Sequence, residues 1–263
     1  DLNHPLISGN KWWKLKYNLQ DARNQNKHTL LTFGGAYSNH IYATAAAAQE
    51  GGFNSIGIIR GEEVNSNHNA TLRLARQWGM QLHFVTREEY RKKTEPLFQE
   101  SLRQKFGDFY LIPEGGTNEL AIKGITEWAE QLKQEHDFNY VCCACGTGGT
   151  LAGLIKGLPE KKMLGFSALK GDFLSEEVRR LADSDNKNWS IVNDYHFGGY
   201  AKYNDELLTF INLFERDFSI PLEHVYTGKM FFGLFDLIKQ NYFPKGSNVL
   251  AIHTGGLQGK LST

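Results

Sequence analysis

Tyr140-Val141-Cys142-Cys143-Ala144-Cys145-Gly146-Thr147-Gly148-Gly149-Thr150-Leu151-Ala152-Gly153-Leu154 joins an apolar run, a glycine-rich turn and the start of an apolar helix. A strand that feeds a helix through a tight turn is the repeating unit of parallel α/β sheets. The same unit recurs upstream. Thr29 to Phe33 reads as a strand, Ser38 to Gln49 as an Ala-rich helix and Ser55 to Arg60 as a strand. A helical stretch from Asn69 carries Leu74 and Trp78 four apart, Leu82 to Val85 reads as a strand, Glu88 to Lys105 as one charged helix and Phe109 to Ile112 as another strand. Ile122, Ile125, Ala129 and Leu132 recur at three- and four-residue steps, which puts one apolar stripe on a helix from about Asn118 to Glu135.

Downstream, Thr150 to Gly157 reads as a short helix and Met163 to Ala168 as a strand. Glu206 to Phe214 and Lys229 to Gln240 read as helices, and Asn248 to His253 as a final buried strand. No Pro/Ser-rich linker or repeat interrupts the chain, so two α/β lobes packed together and sharing a cleft are expected in place of tethered domains.

The 263 residues suffice for one large domain or two small ones. With 41% hydrophobic, 22% charged and 13% aromatic residues, 27 Gly and only 6 Pro, the chain is globular and neither collagenous nor low-complexity. Twenty-nine basic residues balance 29 acidic ones, so the overall charge favours neither nucleic acid nor an anionic membrane as partner; a small ligand is expected. No run reaches the roughly 18 to 20 apolar residues of a spanning helix, and Asp1-Leu2-Asn3-His4-Pro5 has no leader character, which makes the cytoplasm the expected compartment. Cys142, Cys143 and Cys145 share one strand, where neighbours point to opposite faces and cannot bridge without strain. Reduced thiols are expected, and with no second Cys/His cluster at zinc-ligand spacing, no metal site.

Gly146, Thr147, Gly148, Gly149 and Thr150 lie where a strand becomes a helix. Glycines let backbone N–H groups crowd around one phosphate, the two threonine hydroxyls add donors, and the helix start adds about half a positive charge. A ligand-free turn is the plain alternative. The pattern matches neither the dinucleotide fingerprint nor the lysine-ending nucleotide loop, which favours a ligand with a single phosphate. Gly34-Gly35-Ala36-Tyr37-Ser38-Asn39-His40 makes a second such turn, in which Ser38 either caps a helix or helps receive a carboxylate. Phosphate at one helix start and carboxylate at another describe a phosphorylated cofactor bearing an amino acid. That cofactor needs an amine, and Ser8-Gly9-Asn10-Lys11 supplies one in a small turn before a helix.

These stretches, with Pro113-Glu114-Gly115-Gly116, Val225-Tyr226-Thr227-Gly228-Lys229 and His253-Thr254-Gly255-Gly256, occur in the order and approximate spacing of one family. The chain resembles the 1-aminocyclopropane-1-carboxylate deaminase/D-cysteine desulfhydrase family of pyridoxal-phosphate enzymes, along nearly its whole length. Relative to that family, an N-terminal segment and the C-terminal end are expected to be missing, and Trp13 stands where the family usually has Arg. The resemblance implies a tryptophan-synthase-β-like fold, with 14–119 as a smaller lobe and 1–13 plus 120–263 as a larger, cofactor-binding lobe. It also implies a homodimer acting on a small amino acid. Lys11 would hold pyridoxal 5'-phosphate covalently and move the Cα proton, and Asn39 would bond the cofactor's phenolic oxygen. Ser38, Asn39 and His40 would meet the substrate, Gly146 to Thr150 the phosphate, and Tyr200 and Tyr226 would line the active site.

The deaminase branch of that family carries Glu and Leu where this chain has Thr227 and Thr254, and Gln in place of His40. A carboxylate beside the ring nitrogen deepens the electron sink, whereas neutral hydroxyls leave it shallow. A shallow sink suffices to lose thiolate but not to open a cyclopropane. The resemblance therefore implies β-elimination from D-cysteine to pyruvate, sulfide and ammonia. The alternatives are cyclopropane-ring opening to α-ketobutyrate and ammonia, racemisation, loss of water from a D-hydroxy amino acid, and a non-catalytic binding protein.

Overall fold

The computed structural model describes residues 4–62 and 69–260. Asp1-Leu2-Asn3, the start of the stretch read for leader character, lies outside the described residues. The chain divides into two compact units, Asp1–Leu120 and Ala121–Thr263. Unit 1 runs through α1 (Asn10–Asn24), β1 (Thr29–Gly34), α2 (Asn39–Gly51), β2 (Asn54–Arg60), α3 (Ala70–Gln77) and β3 (Met80–Val85). It ends with α4 (Arg87–Arg91), α5 (Pro96–Phe106), β4 (Tyr110–Ile112) and a 3-10 turn, Glu114–Gly116. Its strands lie in the order β3-β2-β1-β4, every pair parallel.

Unit 2 takes up the chain within α6 (Glu119–Glu135). It continues through β5 (Tyr140–Cys145), α7 (Gly149–Gly157), β6 (Lys162–Ser167), α8 (Phe173–Ala182), β7 (Trp189–Val192), α9 (Asp205–Phe218), α10 (Thr227–Lys239) and β8 (Val249–Ile252). Its sheet, β7-β6-β5-β8, is again parallel throughout and repeats the arrangement of the first. β5 is buried along its full length and β1 along all but its first residue, as strands covered on both faces must be.

This strand order places the chemistry. In each unit one strand, β1 or β5, has its successor on one side and the unit's last strand on the other. At such a switch point the connecting loops part to opposite faces and leave a crevice beyond the carboxyl ends of the strands. The turn after β1 (34–38) thus neighbours the turn after β4 (113–116). The turn after β5 (146–148) likewise neighbours the turn after β8 (253–256).

Four expectations need correction. The charged stretch 88–105 forms two helices, because Pro96 has no N–H to continue a helix and instead sits at the first position of α5. β8 is an edge strand and only Ile252 is buried in it, so it is not a buried strand. Lys11 stands in the first turn of α1, not in the turn before it. Finally, α8 and β7 are short elements absent from the sequence reading.

Helix α7, which begins at the glycine turn, is seated by small residues. A Cβ on Gly153 would lie 2.5 Å from Ile125 Cβ, and one on Gly157 would lie 2.6 Å from Ala129 Cβ. The apolar stripe of α6 therefore touches α7 backbone directly. Gly153→Val is expected to destabilise the protein by about 1–3 kcal/mol through overpacking, read as a lower urea midpoint. An unchanged midpoint would show that α6 and α7 can move apart freely.

Candidate active site

In unit 1 the turn after β1 is shaped by close approach. A Cβ on Gly34 would sit 2.8 Å from Ser38 Oγ and 2.4 Å from Ile41 Cγ1, so only glycine lets the chain fold back at this point. Ser38 caps α2, its Oγ accepting the Ile41 N–H at 3.3 Å. The capping reading of Ser38 therefore holds, and its half-buried side chain, like that of Asn39, stays partly accessible.

His40 is buried beneath this turn. The Thr32 hydroxyl gives its proton to the Ile112 carbonyl at 2.8 Å, so toward His40 Nε2, also 2.8 Å away, it can only accept. Nε2 therefore carries the imidazole proton. Burial, reinforced by the charges of Lys11 and Lys14, pushes the His40 pKa well below its usual range and keeps the ring neutral. A Cβ on Gly116 would lie 2.9 Å from His40 Cε1, which explains glycine in the turn after β4. His40 thus ties the turn after β1 to the one after β4. Glu114 anchors the same turn from outside, accepting the Tyr90 hydroxyl at 2.7 Å and pairing with Lys93 at 3.4 Å.

Lys11 and Lys14 are one helical turn apart on α1 but differ in environment. Lys14 is 1% exposed and its Nζ donates to Thr117 Oγ1 at 2.9 Å. Lys11 is half-buried, and desolvation brings its amine from 10.5 down to about 8. Of the two, Lys11 is the accessible nucleophile. Trp13, where the family usually has Arg, is buried, and Lys16 lies over its ring at 5.3 Å.

In unit 2 the turn after β5 is a cradle. Gly148 has φ 78°, and a Cβ there would strike Val178 Cγ2 at 2.7 Å. No side chain caps α7, so its leading N–H groups are presented by glycine backbone. Gly146 abuts Tyr226, whose Cε1 would lie 3.0 Å from a Cβ at that position. Tyr226 in turn meets Tyr200 edge-on, with ring centroids 6.3 Å apart. The structure thus brings Gly146, Tyr226 and Tyr200 together.

Thr227 and Thr254 differ sharply. Thr227 is fully buried, and its hydroxyl accepts the Glu223 N–H at 3.0 Å and lies 3.2 Å from Glu223 Oε1. The Glu223 side chain also accepts the backbone N–H groups of Val225, Tyr226 and Thr227 at 2.6, 2.8 and 2.6 Å. Burial pushes the Glu223 carboxyl up and those donors oppose it. Because every contact to its oxygens is a donor, the pattern is that of a carboxylate capping α10. Thr254 lies in the turn after β8, and its hydroxyl makes no hydrogen bond to a described residue. That turn is fixed by His253, whose Nδ1 accepts the Gly255 N–H at 3.2 Å while Nε2 donates to the Pro221 carbonyl at 2.9 Å.

Unit 1 holds a lysine amine with a lowered pKa. Unit 2 holds a helix start built from glycine with no side-chain cap. A phosphorylated aldehyde cofactor uses groups of both kinds. The family model for pyridoxal-phosphate-dependent enzymes matches residues 1–255. The chain belongs to that family. A Pyrococcus furiosus relative, provisionally named a 1-aminocyclopropane-1-carboxylate deaminase, is 32% identical over 98% of this chain and 83% of its own length. The Arabidopsis thaliana bifunctional D-cysteine desulfhydrase/1-aminocyclopropane-1-carboxylate deaminase is 31% identical over 96% of this chain and 70% of its own. The crystal structure of an ACC deaminase homologue superposes with a TM-score of 0.81 at 28% identity, covering 95% of this chain and 81% of that one. The expected fold type and cofactor are therefore established, and within its family the chain falls in the deaminase/desulfhydrase group.

Glu223, His253 and Lys229 were not anticipated as site residues. Glu223 lies four residues before the Thr227 it binds, a spacing that suggests an ordinary turn, and His253 was visible only as part of a motif. Competitive labelling of the cofactor-free protein with an amine reagent should show Lys11 reactivity rising with pH about a midpoint of about 8. Exposed lysines should follow the unperturbed value of 10.5. A midpoint for Lys11 near the unperturbed value would mean that its amine is not desolvated.

Proposed function

We propose that this enzyme catalyses β-elimination from D-cysteine, yielding pyruvate, sulfide and ammonia. The observation that carries the reading is the pair of neutral threonines, one of which, Thr227, is consumed by Glu223. Pyridoxal phosphate, when bound, supplies an electron sink for the bond broken at Cα. Lys11 would hold the cofactor covalently and, as a free amine, would take the Cα proton. Its lowered pKa suits both tasks. Asn39 would bond the cofactor's phenolic oxygen, and Ser38, with the start of α2, would receive the substrate carboxylate. His40 stands behind them as a neutral support. The backbone from Gly146 to Thr150 would receive the phosphate, and Tyr200 and Tyr226 would line the substrate side.

Thr254 would offer the ring nitrogen a neutral hydroxyl, where a carboxylate would hold it protonated and deepen the sink. Thiolate leaves readily and needs no deeper one. A second reading, ring opening of 1-aminocyclopropane-1-carboxylate, is favoured by the names of the Pyrococcus and Arabidopsis relatives.

Sulfide release from D-cysteine, with little α-ketobutyrate from the cyclopropane acid, is the expected result for the unmodified protein; the reverse would establish the second reading. Thr254→Val is expected to lower elimination about tenfold, the worth of one hydrogen bond, with an unaltered melting temperature. Thr227→Val should instead destabilise the fold by about 1–3 kcal/mol by orphaning a buried donor. If Thr227→Val lowered turnover without touching stability, the roles given to the two threonines would be reversed.

A further inference from the structure

Tyr200 occupies a segment of unusual backbone. Phe197 and Ala201 have φ of 51° and 55°, and Gly198 and Gly199 have φ of 91° and 115°. The two glycines adopt such φ freely, but Phe197 and Ala201 carry a Cβ and are strained there unless something outside the segment holds them. The segment is two linked turns, one closed by the Gly199 N–H to the His196 carbonyl at 3.0 Å and the next by the Lys202 N–H to the Gly199 carbonyl at 3.1 Å. Tyr200 and Ala201 are the central residues of the second turn.

Both of those carbonyls have a second donor, and it is one and the same group. Lys229 Nζ donates to His196 O at 2.8 Å and to Gly199 O at 2.7 Å. Lys229 is 1% exposed, so the ammonium is buried at the junction of the two turns. It stands in the first turn of α10, where the helix dipole disfavours a cation, so its placement does not serve the helix. Desolvation lowers the Lys229 amine to about 8, and the charge of Glu223 at the same helix start opposes that shift. Glu223 meanwhile accepts the Tyr226 N–H. Lys229 thus holds the carbonyl that precedes Tyr200, and Glu223 the N–H of Tyr226.

We propose that Lys229 is a positioning residue that fixes Tyr200 against Tyr226 for the reaction. This rests on the reading of Tyr200 as an active-site residue. The segment has an apolar anchor of its own in the Phe197 ring, which packs edge-on against Phe232 at 5.0 Å, so loss of Lys229 should loosen it without unfolding the protein. A purely structural staple would instead leave turnover dependent on stability alone.

The test is a double-mutant cycle in the holoenzyme, with whichever of D-cysteine and 1-aminocyclopropane-1-carboxylate it turns over. Lys229→Met is expected to lower kcat about tenfold, with KM changed by less than about threefold, and to add less than about twofold to the loss already caused by Tyr200→Phe. Lys229→Arg, which can still donate to both carbonyls, should restore most of the activity. Gly199→Ala, strained at its positive φ, should reproduce the Lys229→Met phenotype with the lysine intact. Amide exchange over residues 196–202, measured without substrate, should accelerate in Lys229→Met and not in Lys229→Arg. An equal loss from Lys229→Met in both backgrounds, or unchanged exchange, overturns the proposal. Full activity in Tyr200→Phe overturns the reading of Tyr200 itself, whatever Lys229→Met does.

Discussion

Backbone N–H groups at the start of a helix have no partner within it, and the arrangement of this protein follows from how three such starts are satisfied. Each of α2, α7 and α10 begins beside a strand end or a turn that faces one. At α2 the Ser38 side chain caps the helix, worth about 1 kcal/mol. At α10 a buried carboxylate, Glu223, takes the N–H of the first helical residue, Thr227, together with those of Val225 and Tyr226 just before it. At α7 no side chain caps, although substituting a capping residue for Gly148 would seem an easy gain. It is not easy, because a side chain there collides with Val178 and must adopt a left-handed φ. On the reading proposed above, the phosphate of the cofactor would stand in for that cap. Gly146 and Gly148 are required by packing in any case.

The same economy explains the buried charges. An ion removed from water loses several kcal/mol unless close partners restore its solvation. Lys229 regains it from two carbonyls, Glu223 from three amides and a hydroxyl, and Lys14 in part from Thr117. The partners of Lys229 lie in the loop after β7, those of Glu223 at the approach to α10, and Thr117 just after the turn that follows β4. Buried charge here does little for net stability and much for the definition of loops that have no regular hydrogen-bond ladder to hold them.

What could be read from the sequence follows the same division. The α/β alternation was legible because β1 and β5 are apolar throughout and α6 carries a clear stripe. The glycine turns were legible because a steric requirement leaves a visible residue. α8 and β7 were missed because they are short, and β7 has no buried residue to mark it. The break between α4 and α5 was signalled by Pro96 but outweighed by charge periodicity. The roles of Glu223, His253 and Lys229 were beyond reach: they sit in loops or at a helix start, where spacing does not say which way a side chain turns.

That last gap bears on the reaction. From the sequence, Thr227 and Thr254 are equivalent neutral substitutions, yet one is committed to Glu223 and the other has no described partner. Were Thr227 a glutamate, as in the deaminase branch the chain resembles, its carboxylate would stand beside that of Glu223 in a buried space. Two like charges there would repel strongly, and one of them would have to turn away or take a proton. Glu223 and Thr227 therefore have to change together, and a conversion of reaction type must reckon with the carboxylate that holds the helix as well as with the residue offered to the ring. The neutral threonine is compatible with Glu223 because it adds no charge to that buried space.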